Sequence, residues 1–515
     1  MKTTKRLITA VVAALLAGTA AAENWKFKMP LLVPEVLEKR YEATTCVPLD
    51  ARLRVTVACV DGAAAADWVA GKMKAWFLCT AGAKVVPFAG ELPGTSDEAY
   101  AIDAKPGSLA IRARSAKGVK WALMTLRQIA QPKRGTLTVE GYEVPAFSVK
   151  DAPEIAFRGL HVCAFPENTL PRIERMIRMA AYYKFNHVVL EQWGTFRSEK
   201  YPWYGWKEGY LTVAECHRLA AIAKDLGVTL IPQVNVFGHA TAARGMSGKN
   251  AHLDRDPAYQ PLFEPLAGWN WCLSNPHTRE VIAGLIGELH EAFDRPPYVH
   301  IGCDEAHAPS CAACCGTDYR TLLASFISFA AETVEKRGAR PMMWHDMLLK
   351  AGDPRWRGFY ANGSAATAAL VGTLSKKTVI CDWYYGSDMG GYAKKATSLV
   401  GKYPTLEYFK AQGFDTLTCP WKEPTGIKAQ GEYARKNGFF GVLGTVWHFF
   451  QGEDLRIIYT RTASHSWNQK SADATKPGLR EFATHWRQVG WETRGGDAYR
   501  EGGVYDDQVS GRVFR

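Results

Sequence analysis

The sequence predicts an α/β fold: a closed (β/α)8 barrel preceded by a small α/β domain. Three observations carry this reading. From Phe157 onward, eight short apolar runs alternate with amphipathic stretches, the order that builds a parallel sheet with crossover helices. No Gly-rich phosphate fingerprint follows the first run, which argues against an open doubly wound sheet. The 515 residues, 47% hydrophobic and 22% charged, suffice for a large core and an accessory domain.

The elements follow in chain order. Lys2, Lys5 and Arg6 precede a short apolar stretch, Leu7 to Leu16, and the small residues Ala20, Ala21 and Ala22. This is the layout of a cleavable signal peptide over residues 1–22, and the apolar stretch is too short for a membrane span. The mature chain is therefore expected to be secreted or periplasmic, without stable membrane insertion. Formal net charge is +12, falling to +9 when those three basic residues are removed. The charge is dispersed, with no dense Lys/Arg run and no nucleic-acid motif, so no nucleic-acid partner is expected.

Residues 23–148 read as the small α/β domain. Arg52 to Val60 and Tyr100 to Ser115 alternate like strands, the second around a Pro-Gly turn. Ala116 to Gln131 has helical spacing at Val119, Leu123, Leu126 and Ile129, and a last strand follows at 135–144. Residues 149–515 are assigned to the barrel with a helical C-terminal extension. The expected barrel strands are 157–162, 187–192, 229–236, 298–302, 340–344, 378–385, 415–419 and 440–447. Helices are expected at Leu170 to Tyr183, Val213 to Leu226, Thr278 to Phe293 and Tyr319 to Arg337. The stretch from Gly238 to Pro276 is too long for an ordinary connection and is expected to be functional or to hold small elements.

In such a barrel the chemistry lies at the C-terminal strand ends. Those ends carry His161, Glu191 to Trp193, Asn235 to His239, Asp304, Glu305, Trp344 to Asp346, Asp382 to Tyr385, Trp421, Trp447 and His448. Aromatic faces stack on sugar C–H faces and carboxylates bind hydroxyls, so the list suits a carbohydrate. Asp304 and Glu305 are adjacent and point in different directions, so one can donate a proton while the other stays ionised. The chain has 12 Cys. Most are scattered and read as buried thiols. The cluster Cys311, Cys314 and Cys315 reads first as a disulfide and second as part of a metal site that Cys303 or His307 could complete.

At this point the sequence resembles glycoside hydrolase family 20, the β-N-acetylhexosaminidases. HIGCDEAH is similar to the family's HIGGDE signature. Collinear matches are FRGL at 157–160, Tyr183 to Asn186, PQVNVFGHA at 232–240, Trp344 to Asp346, and the helix near Gly118 to Ile129. The resemblance implies a retaining mechanism in which the substrate's 2-acetamido oxygen is the nucleophile. It implies Glu305 as general acid and base, and Asp304 as the group orienting the acetamide. It also implies Arg158 on sugar hydroxyls, His239 ordering the site, and Trp344, Trp383 and Trp447 walling it. No cofactor or metal is required, and the partner is an oligosaccharide or glycoconjugate. Three departures stand out. Leu190-Glu191-Gln192 replaces an Asp-Asp-Gln-like segment. Cys419 to Glu423 lacks the expected Tyr and Asp, for which Tyr384 or Tyr385 could substitute. Trp447-His448-Phe449 replaces W-x-E. Another sugar specificity and an inactive glycan-binding protein therefore stay open beside the hexosaminidase reading.

Overall fold

The structure is a computed structural model that describes residues 26–134, 138–165, 168–205, 209–240, 256–264, 269–385, 403–447 and 452–490. The expected signal segment lies outside these residues. The chain divides into two compact units after Pro153.

In the first unit, strands run in the order Glu38–Leu49, Val139–Asp151, Tyr100–Lys105, Ser108–Ala113, Arg54–Ala58, Ala83–Val85, and Gln131–Arg134 also pairs with Val139–Asp151. The expected hairpin forms with Lys105 opposite Ser108, and Gly107 takes the left-handed conformation (φ +74°) that its tight turn needs. Helix Ala116–Ile129 starts at Ser115, whose hydroxyl accepts from the Gly118 amide at 3.3 Å. It buries Val119, Leu123, Leu126 and Ile129, the positions its spacing marks. Strand Glu38–Leu49 and helix Gly62–Phe77 have no counterpart in the sequence reading.

The second unit is the barrel. Its strands are β1 (Phe157–Ala164), β2 (His187–Gln192), β3 (Thr229–Gln233), β4 (Tyr298–His300), β5 (Arg340–Trp344), β6 (Val379–Trp383), β7 (Asp415–Cys419) and β8 (Gly441–Val446). All eight neighbouring pairs are parallel, and β8 closes on β1 with Gly441 opposite Phe157. Every residue of β1, β6 and β8 is buried, as continuous apolar runs between a barrel core and a helical ring require. Val189, Ile231, Met342, Val379, Leu417 and Leu443 supply part of that interior. Helices Leu170–Tyr182, Val213–Asp225 and Tyr319–Glu335 begin at Thr169, Thr212 and Asp318, each accepting a helix amide through its side chain. The 238–276 connection holds a 3-10 helix, Pro257–Leu262, and a bridge between Phe263 and Trp271. Helices Gly452–Trp467, Gln469–Asp473 and Leu479–Gly490 form the C-terminal extension. The last packs on Leu170–Tyr182, where the Tyr183 hydroxyl meets His485 Nδ1 at 2.9 Å.

Candidate active site

Beyond β4 the chain passes through three left-handed residues: Gly302 (φ +65°), Cys303 (φ +73°) and Glu305 (φ +47°). That conformation costs an L-residue about 1–2 kcal/mol, so the surroundings must hold it. Gly302 sits so close to Asn235 that a Cβ would lie 2.5 Å from its Oδ1. The Glu305 amide donates to Asp346 Oδ2 at 3.0 Å, and Trp269 Nε1 donates to the Glu305 carbonyl at 2.8 Å. Both backbone polar groups of Glu305 are thus fixed by side chains from other loops. Asp304 is buried while the Glu305 side chain is 43% exposed, so the two adjacent carboxyls meet different environments.

His239, also left-handed (φ +58°), bridges the pair. Its Nε2 lies 3.5 Å from Asp304 Oδ2 and 3.4 Å from Glu305 Oε2. Gly238 permits this approach, since a Cβ there would lie 2.4 Å from the Asp304 carbonyl oxygen. Burial opposes charge on His239, but Asp304 and Glu305 beside it push its pKa up to about 10. The His239 hydrogen bond outweighs burial at Glu305 and lowers its pKa. Burial dominates at Asp304 and raises its pKa against the pull of His239. Burial, with repulsion from Asp304, pushes Asp346 up to about 7. Among the described residues, Asp304 Oδ1, Asp346 Oδ1 and His239 Nδ1 are buried without a hydrogen-bond partner. Buried polar atoms are normally satisfied, so a site with three open ones in one constellation is suited to a polar ligand.

Around these groups stand aromatic rings. Trp344 is fully enclosed at the base, 5.0 Å from Trp447 and 4.5 Å from His300 between centroids. Trp447 leans on His161 at 4.5 Å. Trp383 packs against Tyr360 at 3.8 Å and Tyr385 at 5.5 Å, and Tyr385 meets Trp421 at 5.1 Å. The two-residue strand period separates the two candidate tyrosines. Tyr384 points outward into a cluster with Tyr403 and Leu406. Tyr385 turns inward against the barrel core, where burial, then Tyr360, Asp304, Cys419 and Glu305, raise its pKa. Tyr385 is therefore the tyrosine within electrostatic reach of the carboxylate pair.

Two expected sugar contacts are corrected. Arg158 is the second residue of β1, six positions before its C-terminal end, or about 20 Å along the strand. Its guanidinium donates to the Ile155, Ala156 and Lys184 carbonyls and lies 4.8 Å over the Trp467 ring. It belongs to the opposite end of the barrel. Glu191 is at the correct end but buried, with Oε1 accepting from Asn235 at 2.7 Å and Oε2 facing His161 at 2.8 Å. These bonds overcome burial and hold its pKa at about 2. Both Glu191 oxygens are thus engaged by neighbouring side chains. The residues His448 and Phe449 lie outside the described set. Asp346 and Asn235, both at strand ends marked by the sequence but given no role there, complete the site with Tyr360 and Trp269, which the sequence did not pick out. Asp346 stood in a recognised strand-end segment, whereas nothing local marks Tyr360 or Trp269.

The family-model comparison matches the glycosyl hydrolase family 20 catalytic domain over residues 168–449 and the family 20 domain 2 over residues 29–152. The chain belongs to glycoside hydrolase family 20. Relatives of this family 20 chain include a β-hexosaminidase of Vibrio furnissii, 26% identical over 49% of this chain and 46% of the relative. A β-N-acetylhexosaminidase of Cellulomonas fimi is 27% identical over 50% and 52%. The chain spans about half the length of these curated relatives. Among solved structures, a family 20 exo-β-N-acetylglucosaminidase from Vibrio harveyi aligns with a TM-score of 0.63, 17% identity, and coverage of 90% of this chain and 79% of that one. A Bacteroides fragilis β-N-acetylhexosaminidase aligns at 0.59, 16% identity, over 93% and 96%. At these identities the structural likeness shows the fold alone.

Proposed function

We propose that this family 20 chain is an exo-glycosidase that removes terminal β-linked N-acetylhexosamine by a retaining, substrate-assisted route. The observation that carries the proposal is His239 bridging the adjacent Asp304 and Glu305 at the end of β4. A two-carboxylate retaining enzyme needs a protein nucleophile beneath the sugar. Asp304 is buried beside His239 and suits holding an acetamide N–H through its open Oδ1. The acetamido oxygen then attacks the anomeric carbon. Glu305, the more exposed carboxyl, gives its proton to the leaving oxygen and later takes one from water. For that first step Glu305 must carry a proton. A bound sugar supports this by displacing water from the carboxyl, which raises its pKa. In place of the missing family tyrosine, the Tyr385 hydroxyl steadies the acetamido oxygen. Trp383, Trp421 and Trp447 present faces to the sugar. A leader over residues 1–22 would send the enzyme out of the cytoplasm.

The test is turnover of N-acetylglucosaminyl and N-acetylgalactosaminyl β-glycosides with poor leaving groups by wild type, Glu305→Gln and Asp304→Asn. Losing the positioned acid is expected to lower the rate by about 10²–10⁴-fold. Asp304→Asn is expected to lose N-acetylhexosaminide turnover while folding normally. Wild-type protein inert on both sugars sinks the proposal. Tight binding of a thiazoline analogue of the cyclised acetamide by that inert protein would then mark a glycan binder, and no binding would mark another sugar specificity.

A further inference from the structure

Three thiols and a carboxylate that the proposed reaction does not use meet beside the active-site loops. The connection after β3 brings Glu264 and Cys272, and the connection after β4 brings Cys311 and Cys314. Cys272 Sγ lies 3.6 Å from Cys311 Sγ and 3.7 Å from Cys314 Sγ. One ligand atom from each of the four residues lies within 4.8 Å of all the others.

A disulfide needs about 2.05 Å between sulfurs and uses thiols in pairs, so any bridge here would leave one of the three behind. All three are free thiols in the structure. Four ligands around zinc at a Zn–S distance of about 2.3 Å place neighbouring sulfurs about 3.8 Å apart, close to the separations found. The local chemistry agrees. Cys311 and Cys314 form a C-x-x-C turn in which the Cys314 amide donates to Cys311 Sγ at 3.3 Å, directing both sulfurs to one point. Glu264 Oε2 accepts from the Ser310 and Cys311 amides at 2.7 and 2.5 Å. Its Oε1 is left turned towards Cys311 Sγ, 3.4 Å away. A carboxylate so oriented by backbone amides is a pre-aimed ligand. Cys315 stands apart: it is exposed and its Sγ faces the Pro309 carbonyl.

We propose that Glu264, Cys272, Cys311 and Cys314 form a closed, four-coordinate structural zinc site that ties the connection after β3 to the connection after β4. Three soft thiolates with one carboxylate, and no position left for water, suit a structural zinc. Binding releases the three thiol protons as the sulfurs become thiolates. The tie bears on the active site because the same connection holds Trp269 against the Glu305 carbonyl, and Asn270 against the His307 amide and carbonyl at 3.1 and 3.0 Å. The inference does not depend on the reaction proposed above and would survive an inert enzyme.

The test is elemental analysis of the full chain, expressed with added zinc and purified without a metal-chelate column. One zinc per chain is expected, retained in Cys315→Ser and lost in the Cys272→Ser/Cys311→Ser double variant. Should the double variant not fold, wild type decides alone. Titration with a mercurial is expected to release one zinc per chain, and cobalt replacement to give thiolate-to-cobalt charge-transfer absorption. Wild-type protein carrying far less than one zinc per chain, a disulfide among these three cysteines by peptide mapping, or zinc retained in a folded double variant overturns the proposal.

Discussion

The two ends of the barrel treat buried charge in opposite ways. At the N-terminal end Arg158 is enclosed, yet its guanidinium is met by three backbone carbonyls and a tryptophan face. At the C-terminal end Asp304 and Asp346 are equally enclosed, yet each keeps one oxygen open. Saturation with fixed partners makes a charge structural, because nothing is left for a ligand. Open valences in a low-dielectric site shift pKa values and await a substrate. Glu191, also at the C-terminal end, is saturated by Asn235 and His161, so what separates the cases is whether fixed partners leave an oxygen open.

Substitutions at the two ends test this contrast. The largest effect is expected from Tyr385→Phe, which removes the hydroxyl proposed to steady the acetamido oxygen. Turnover of N-acetylhexosaminides is expected to fall by about 10²–10³-fold with melting unchanged, and an unaltered rate would exclude that role. Glu191→Gln comes next. With its native pKa at about 2, below the ordinary value, the ionised carboxylate stabilises the fold above pH 4.5, and that contribution fades as pH falls through 2. The variant is expected to lose about 3 kcal/mol at pH 7 in denaturant unfolding, with the gap to wild type closing in acid. Arg158→Met should show the reverse pattern to Tyr385→Phe: about 2 kcal/mol of stability lost through unpaired carbonyls, and full turnover per folded molecule. Reduced turnover in well-folded Arg158→Met would break the contrast. The smallest effect is expected from Asp346→Asn. Asp346 titrates at about 7, above its unfolded value, so its ionisation weakens the fold as pH rises from about 4 through 7. The amide retains an acceptor for the Glu305 N–H, so the variant is expected to be about 1 kcal/mol more stable than wild type at pH 8, and no more stable at pH 4.

Much of this was legible in the sequence. Strands β2, β5 and β7 have the bounds that the sequence predicts, because their apolar runs carry the buried face of the barrel wall. The Asp304–Glu305 pair was legible because it follows the apolar run YVHIG at a strand's C-terminal end. Arg158 was not, since a motif names a residue without saying which end of its strand faces the mouth. Tyr385 separates from Tyr384 only after β6 has its register. Asp346 looked like any strand-end acid until burial beside Asp304 was visible. Cys272 joins Cys311 through folding alone, with no local spacing to connect them. In the first unit, Glu38–Leu49 is largely exposed along its polar length, so it lacks the alternation that betrays a half-buried strand.

The pairing of Gly441 with Phe157 also has a consequence for biosynthesis. β1 is among the first barrel strands to leave the ribosome, and its neighbour on one side is the last. Until Gly441–Val446 emerges, the apolar run Phe157–Ala164 presents an unpaired edge. Such an edge is prone to wrong partners, so the nascent chain needs shelter through most of its own translation.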